Sequence, residues 1–149
     1  MKLPLVRRLT IQSSPSEHKL QVALIDYLAL ALRPELEVRA IPNGGIRHKG
    51  VAQRLKDEGV RRGTPDIFIC LPEGRIAWLE MKAKAGTLSP EQKAFRDKVL
   101  ALGHHHAVAK TIDEALTFLA SIDALKPAYQ RGDAFREAAK IHTSMMGVQ

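Results

Sequence analysis

The chain is organised around two apolar runs, Ile67-Phe68-Ile69-Cys70 and Ile76-Ala77-Trp78-Leu79. Pro72-Glu73-Gly74 between them is a turn signal, so the pattern predicts an antiparallel hairpin with strands over 66–71 and 75–82. Along the second strand Ala77, Leu79 and Met81 form one face, and Ile76, Trp78, Glu80 and Lys82 the other. Both faces are largely apolar, which predicts a central strand covered on each side. The polar residues gather at one end of the hairpin, where Asp66 opens the first strand and Glu80 and Lys82 finish the second.

Helical spacing surrounds this hairpin. Ser14, Pro15 and Glu17 read as N-cap, first helical residue and capping-box partner, followed by Leu20, Leu24, Tyr27, Leu28 and Ala31 as far as Pro34. Glu37 to Pro42 predicts a short edge strand, because Pro42 has no N–H to give a ladder. Asn43-Gly44-Gly45 is a sharp turn, and a short helix over 51–56 is expected to end at Gly59. Ser89, Pro90 and Gln92 form a second capping box, with Phe95, Val99, Leu100 and Leu102 as the apolar stripe and Gly103 as the stop. His104 to Val108 reads as another strand, whose neighbouring histidines alternate faces and so do not all reach one ion. Thr111 and Glu114 form a third capping box, ahead of Leu116, Phe118 and Leu119. The expected organisation is an arm over 1–13, one domain over 14–122 and a helical tail over 123–149, with a last helix over 134–141 after Asp133.

Composition adds the class of partner. With 149 residues, 45% hydrophobic and 26% charged, the chain has the makeup of one soluble globular domain, and its seven aromatics imply a mainly aliphatic core. The formal net charge of +7 favours a polyanion. Between Arg39 and Arg62 seven Lys/Arg face only Asp57 and Glu58, and this basic stretch runs directly into Asp66. Phosphate is the expected contact of that stretch. Cys70 is the only cysteine, which excludes an intrachain disulfide, suits a reducing cytosol and reads as a small buried strand residue. No signal peptide is legible and no apolar run approaches the roughly 20 residues of a membrane span, so a soluble, cytoplasmic protein with no membrane partner is expected.

The hairpin brings Asp66 beside Glu80 with Lys82 on the same face, giving two carboxylates and an ammonium in one small site. Paired carboxylates repel unless protonated or bridged by a cation. Magnesium, which takes oxygen ligands and keeps several waters, suits such a pair. Spacing alone makes Glu17 a helix cap.

Glu17, Ile41-Pro42-Asn43-Gly44-Gly45, Gly59-Val60-Arg61-Arg62-Gly63-Thr64-Pro65-Asp66, Leu79-Glu80-Met81-Lys82 and Gly86-Thr87-Leu88-Ser89-Pro90-Glu91-Gln92 together resemble the PD-(D/E)XK nuclease superfamily. Within it, the chain from Glu17 to Leu119 is most similar to the small stand-alone VRR-NUC proteins of bacteria and phages. The resemblance implies a single α/β domain with a restriction-endonuclease-like core, a mixed sheet flanked by helices. It also implies a divalent-metal-dependent, structure-selective DNA endonuclease. By the same resemblance Asp66 and Glu80 hold Mg2+ or Mn2+ with the Met81 carbonyl as a further ligand. Lys82 positions or activates the attacking water, Glu17 adds a third acid near the metal, and Gln92 orients Lys82 or the scissile phosphate. Asn43, Arg47, Lys49, Arg61, Arg62 and Lys84 are the expected DNA contacts. Proteins of this kind resemble homodimers that cut branched DNA such as four-way (Holliday) junctions. Two other readings stand beside this one: a nuclease of flaps or nicked duplex, and a nucleic-acid-binding module that no longer cuts.

Overall fold

Four short strands, β1 (Glu37–Ala40), β2 (Ile67–Cys70), β3 (Ile76–Met81) and β4 (His105–Ala109), form one mixed sheet in the order β1-β2-β3-β4 in the structure, a computed structural model that describes residues 16–42 and 48–130. β1 and β2 pair antiparallel, as do β2 and β3, while β3 and β4 run parallel. The helices are α1 (Glu17–Ala31), α2 (Lys49–Asp57), α3 (Pro90–Ala101) and α4 (Ile112–Ser121). A parallel pair needs a crossover, and α3 supplies it between β3 and β4. The expected α/β architecture, central β3 and edge strand β1 are all present.

Alternation divides the sheet into two differently used faces. Ile67, Ile69, Ala77, Leu79 and Met81 lie on one face and are fully buried in a cluster with Leu20, Leu24 and Leu28 of α1 and Leu116 and Leu119 of α4. On the other face Trp78 stacks edge-on against Phe95 of α3 at 5.0 Å and tilts against Phe68 at 5.8 Å. The core is therefore aliphatic on the α1/α4 side and aromatic under α3. Beyond α4 the chain stays in the core: Ala124 and Leu125 are fully buried, and Tyr129 packs edge-on against Tyr27.

Several local expectations are corrected. The N-cap of α1 is Ser16, whose hydroxyl accepts from the Lys19 N–H at 3.3 Å. Glu17 is therefore the first residue of the helix and not a capping-box partner. Ser14 and Pro15 lie outside the described residues, as do Asn43, Arg47, the arm and the helix expected over 134–141. Cys70 is exposed, because it ends β2 on the face away from Ile67 and Ile69. In α3 only Val99 is buried; Leu100 and Leu102 are 48% and 70% exposed, since the helix turns them away from the sheet. At α4 Thr111 accepts from the Glu114 N–H, but the Glu114 carboxylate reaches the N–H of Lys110, one residue before the expected partner. The box at α3 is complete, Ser89 Oγ accepting from Gln92 N–H and Gln92 Oε1 from Ser89 N–H.

Candidate active site

The hairpin register pairs Ile67 with Leu79, so one step further sets Asp66 opposite Glu80. Asp66 is fixed there by its own side chain and backbone: Oδ2 accepts from the Met81 N–H at 3.1 Å, and the carbonyl accepts from the Ile41 N–H at 2.7 Å. Pro65 ahead of it is buried. Two residues earlier, Gly63 has φ +94°, and a Cβ there would stand 2.6 Å from the Glu91 backbone. Only glycine satisfies both conditions, so the loop carrying Asp66 lies directly on the first turn of α3.

Glu80 is the one charged residue that is buried among the described residues, at 4% exposure. Its Oε1 accepts from Gln92 Nε2 at 2.7 Å and lies 3.2 Å from Lys82 Nζ, whose side chain is only 13% exposed. Its Oε2 is buried with no hydrogen-bond partner among the described residues. Burial first, and then the Asp66 carboxylate, push the Glu80 carboxyl above the usual range, while Lys82 pulls it back down.

Lys82 leaves β3 with its N–H on the Ala109 carbonyl, at 2.9 Å. The chain then turns tightly, Gly86 N–H donating to the Ala83 carbonyl at 2.8 Å. Glu17 reaches this turn from α1 and accepts from the Ala83 N–H at 3.3 Å. The structure thus brings Asp66, Glu80, Met81, Lys82, Gln92 and Glu17 to one end of the sheet, and gives Gln92 a direct bond to Glu80.

Lys49, Arg61, Arg62 and Lys84 are exposed. Arg61 closes the end of α2 by donating to the Lys56 and Val60 carbonyls, at 2.7 and 3.2 Å. Hydrogen bonds at the start of α3, from its own backbone first and then from Ser89, lower the Glu91 carboxyl, with a smaller contribution from the positive charge of Arg62. No residue of α2 is buried, so this basic helix is open to solvent along its length. The histidine run serves the sheet: His104 Nδ1 accepts from the Ile76 N–H at 3.0 Å, and His105 Nε2 lies 3.5 Å from the Arg75 guanidinium.

Among the described residues no group of three or more His, Cys, Asp and Glu stands ready to hold a metal. Two carboxylates and backbone oxygen make a sparse, hard donor set, which fits an ion that retains waters, and the partnerless buried Glu80 oxygen fits a cation directly. The sequence pattern did not reveal the Gly63 packing, which is a backbone contact, or the reach of Gln92 to Glu80. The Ser-x-x-Gln signature marks Gln92 as a cap and the family resemblance sets it beside Lys82 or the phosphate, whereas its side-chain partner is Glu80.

No helix among the described residues is long and apolar enough to cross a membrane. A VRR-NUC domain model matches residues 12–112. A 77-residue stretch is 38% identical to the candidate nuclease p44 of Acyrthosiphon pisum secondary endosymbiont phage 1, over 52% of this chain and 74% of that protein. A solved VRR_NUC domain protein superposes with a TM-score of 0.57 at 20% identity, over 72% of this chain and 87% of that one, which is a likeness of fold.

Proposed function

The chain belongs to the VRR-NUC family and is a nuclease, and on that premise we propose that it is a divalent-metal-dependent endonuclease that hydrolyses phosphodiesters in branched DNA, such as four-way (Holliday) junctions. The observation that carries the reading is the Glu80 carboxylate: buried beside Asp66, tied through one oxygen to Gln92 and Lys82, and without a partner on the other. Asp66 and Glu80, with the Met81 carbonyl, would hold Mg2+ or Mn2+. When bound, the ion lowers the pKa of water and relieves charge on the phosphoryl oxygens.

The side chains do the rest. Lys82 keeps a fixed ammonium beside the carboxylates, where it orients the attacking water and stabilises charge growing on the phosphate. Gln92 holds the Glu80 carboxylate in one orientation, and Glu17 holds the backbone that follows Lys82. Exposed Lys49, Arg61, Arg62 and Lys84 take up backbone phosphates, joined by Asn43 and Arg47. A homodimer matches the substrate, since two related strands of a junction require two sites.

The test is cleavage of a labelled panel of four-way junction, flap, nicked duplex, plain duplex and single strand, with Mg2+, Mn2+ or EDTA, beside Asp66→Asn and Lys82→Ala proteins. Metal-dependent cutting confined to the junction, and lost in both variants, is expected. Preferred flap cutting removes the junction assignment, and undiminished cutting by either variant removes the site. Tight binding without cutting under any metal leaves a binding module in its place.

A further inference from the structure

Lys82 is aimed by the turn that follows it, and that turn is held from outside. Gly86 folds back so that a Cβ there would lie 3.3 Å from both Cβ and Cδ of Lys82 and 3.1 Å from the Ala83 carbonyl oxygen. Its φ lies outside the left-handed region, so a side chain there would be resisted by these tight contacts, with the Ala83 carbonyl and then the lysine stem, and not by backbone conformation. The turn is tied at two points. Glu17 accepts from the Ala83 N–H, and Lys110 Nζ donates to the Lys84 carbonyl at 3.0 Å.

Lys110 is itself well anchored. It follows Ala109, whose carbonyl takes the Lys82 N–H, and its own N–H donates to Glu114 Oε2 at 2.7 Å in the first turn of α4. Its ammonium therefore spans from the end of β4 to the turn after β3. Among the described residues no carboxylate pairs with that ammonium, and a backbone carbonyl is its partner.

We propose that Lys110 is a positioning residue for Lys82, acting through the Lys84 carbonyl to hold the turn over 83–86 against the lysine stem. The proposal rests on the reading of Lys82 given above. It predicts that Gly86, on the other side of the same stem, acts on the same step.

The experiment compares wild type with Lys110→Met, Lys110→Gln, Gly86→Ala and Lys82→Ala. It measures single-turnover cleavage, DNA affinity in EDTA and thermal unfolding. Lys110→Met keeps the stem and loses the donor, and Lys110→Gln restores a neutral donor. Lys110→Met and Gly86→Ala are each expected to slow cleavage on the order of tenfold with DNA affinity unchanged, the cost of a small misplacement of a reacting group. Lys110→Gln is expected to recover part of that rate, which a pure charge effect does not allow. Weaker DNA binding in both Lys110→Met and Lys110→Gln, with an unchanged cleavage step, would make Lys110 a phosphate contact and overturn the proposal. A lower melting temperature with an unchanged rate also overturns it. If Lys82→Ala cuts at the wild-type rate, the site reading fails first and this inference falls with it.

Discussion

The amide of Gln92 bonds Glu80 and a helix end at once: Nε2 donates to Glu80 Oε1 at 2.7 Å, while Oε1 accepts from the Ser89 N–H at 2.9 Å. The cap decides which end of the amide faces the carboxylate. Gln92→Glu separates the two duties, because an ionised carboxylate completes a capping box equally well but has no hydrogen to donate and repels the Glu80 carboxylate. We expect Gln92→Glu to fold and to cut more slowly, on the order of tenfold or beyond. Single-turnover rates beside circular dichroism melts check this, and an unaltered rate would confine Gln92 to the cap.

Glu80 is held against the preference of its surroundings. Its folded pKa is raised, so the folded protein binds the proton more tightly than the unfolded one, and stability falls as pH rises through that range. Above it the ionised carboxylate opposes folding. Glu80→Gln removes that opposition together with the ion pair to Lys82, so it should end cleavage and lose the pH dependence that Glu80 imposes on the metal-free protein. Urea unfolding in EDTA at an acid and a neutral pH decides it: the stability difference should move in favour of the variant as pH rises, and an unchanged difference would refute it.

Gly63→Ala should be costly for reasons of backbone alone. The left-handed φ costs about 1–3 kcal/mol for a residue with a Cβ, and the overlap with the Glu91 backbone adds to it. The expected result is a lower urea midpoint together with weaker cleavage, since Asp66 and Gln92 are attached to the two surfaces forced apart. A midpoint equal to wild type would refute the close packing.

His105 and His106 should make the protein acid-sensitive. Burial, aided by Arg75 and His104 for His105 and by Arg96 for His106, lowers both pKa values, with Asp97 opposing at His106. The folded state then binds fewer protons than the unfolded one below about 6.5, so stability is full above that pH and declines beneath it. Each residue contributes at most about 1.4 kcal/mol per pH unit. Denaturant midpoints between pH 7.5 and 5 should fall, and fall less in a His105→Gln/His106→Gln protein. Identical slopes would remove the histidines as the cause.

Much of this arrangement is legible in the chain. The hairpin, the edge position of β1 and the α3 capping box follow from alternation, proline and cap chemistry, which act over a few residues. Asp66, Glu80 and Lys82 meet because the hairpin register is local. What escaped depends on distance in sequence. Glu17 finds Ala83 sixty-six residues away, and Lys110 finds Lys84 across the parallel β3/β4 pair. α1 starts two residues later than the spacing predicts, because Ser16 offers the same hydroxyl as Ser14. Cys70, Leu100 and Leu102 look buried from composition, yet each lies where its element turns outward.

The division of the sheet into two faces has a consequence for descent. The aliphatic packing with α1 and α4 uses Ile67, Ile69, Leu79 and Met81, whereas Glu80, Lys82 and Gln92 occupy the side under α3. On the proposed reading of the site, folding and chemistry therefore place their demands on alternate residues of the same strand. A lineage of this gene would then lose cutting through one codon, at Glu80 for example, with the aliphatic packing of the other face untouched.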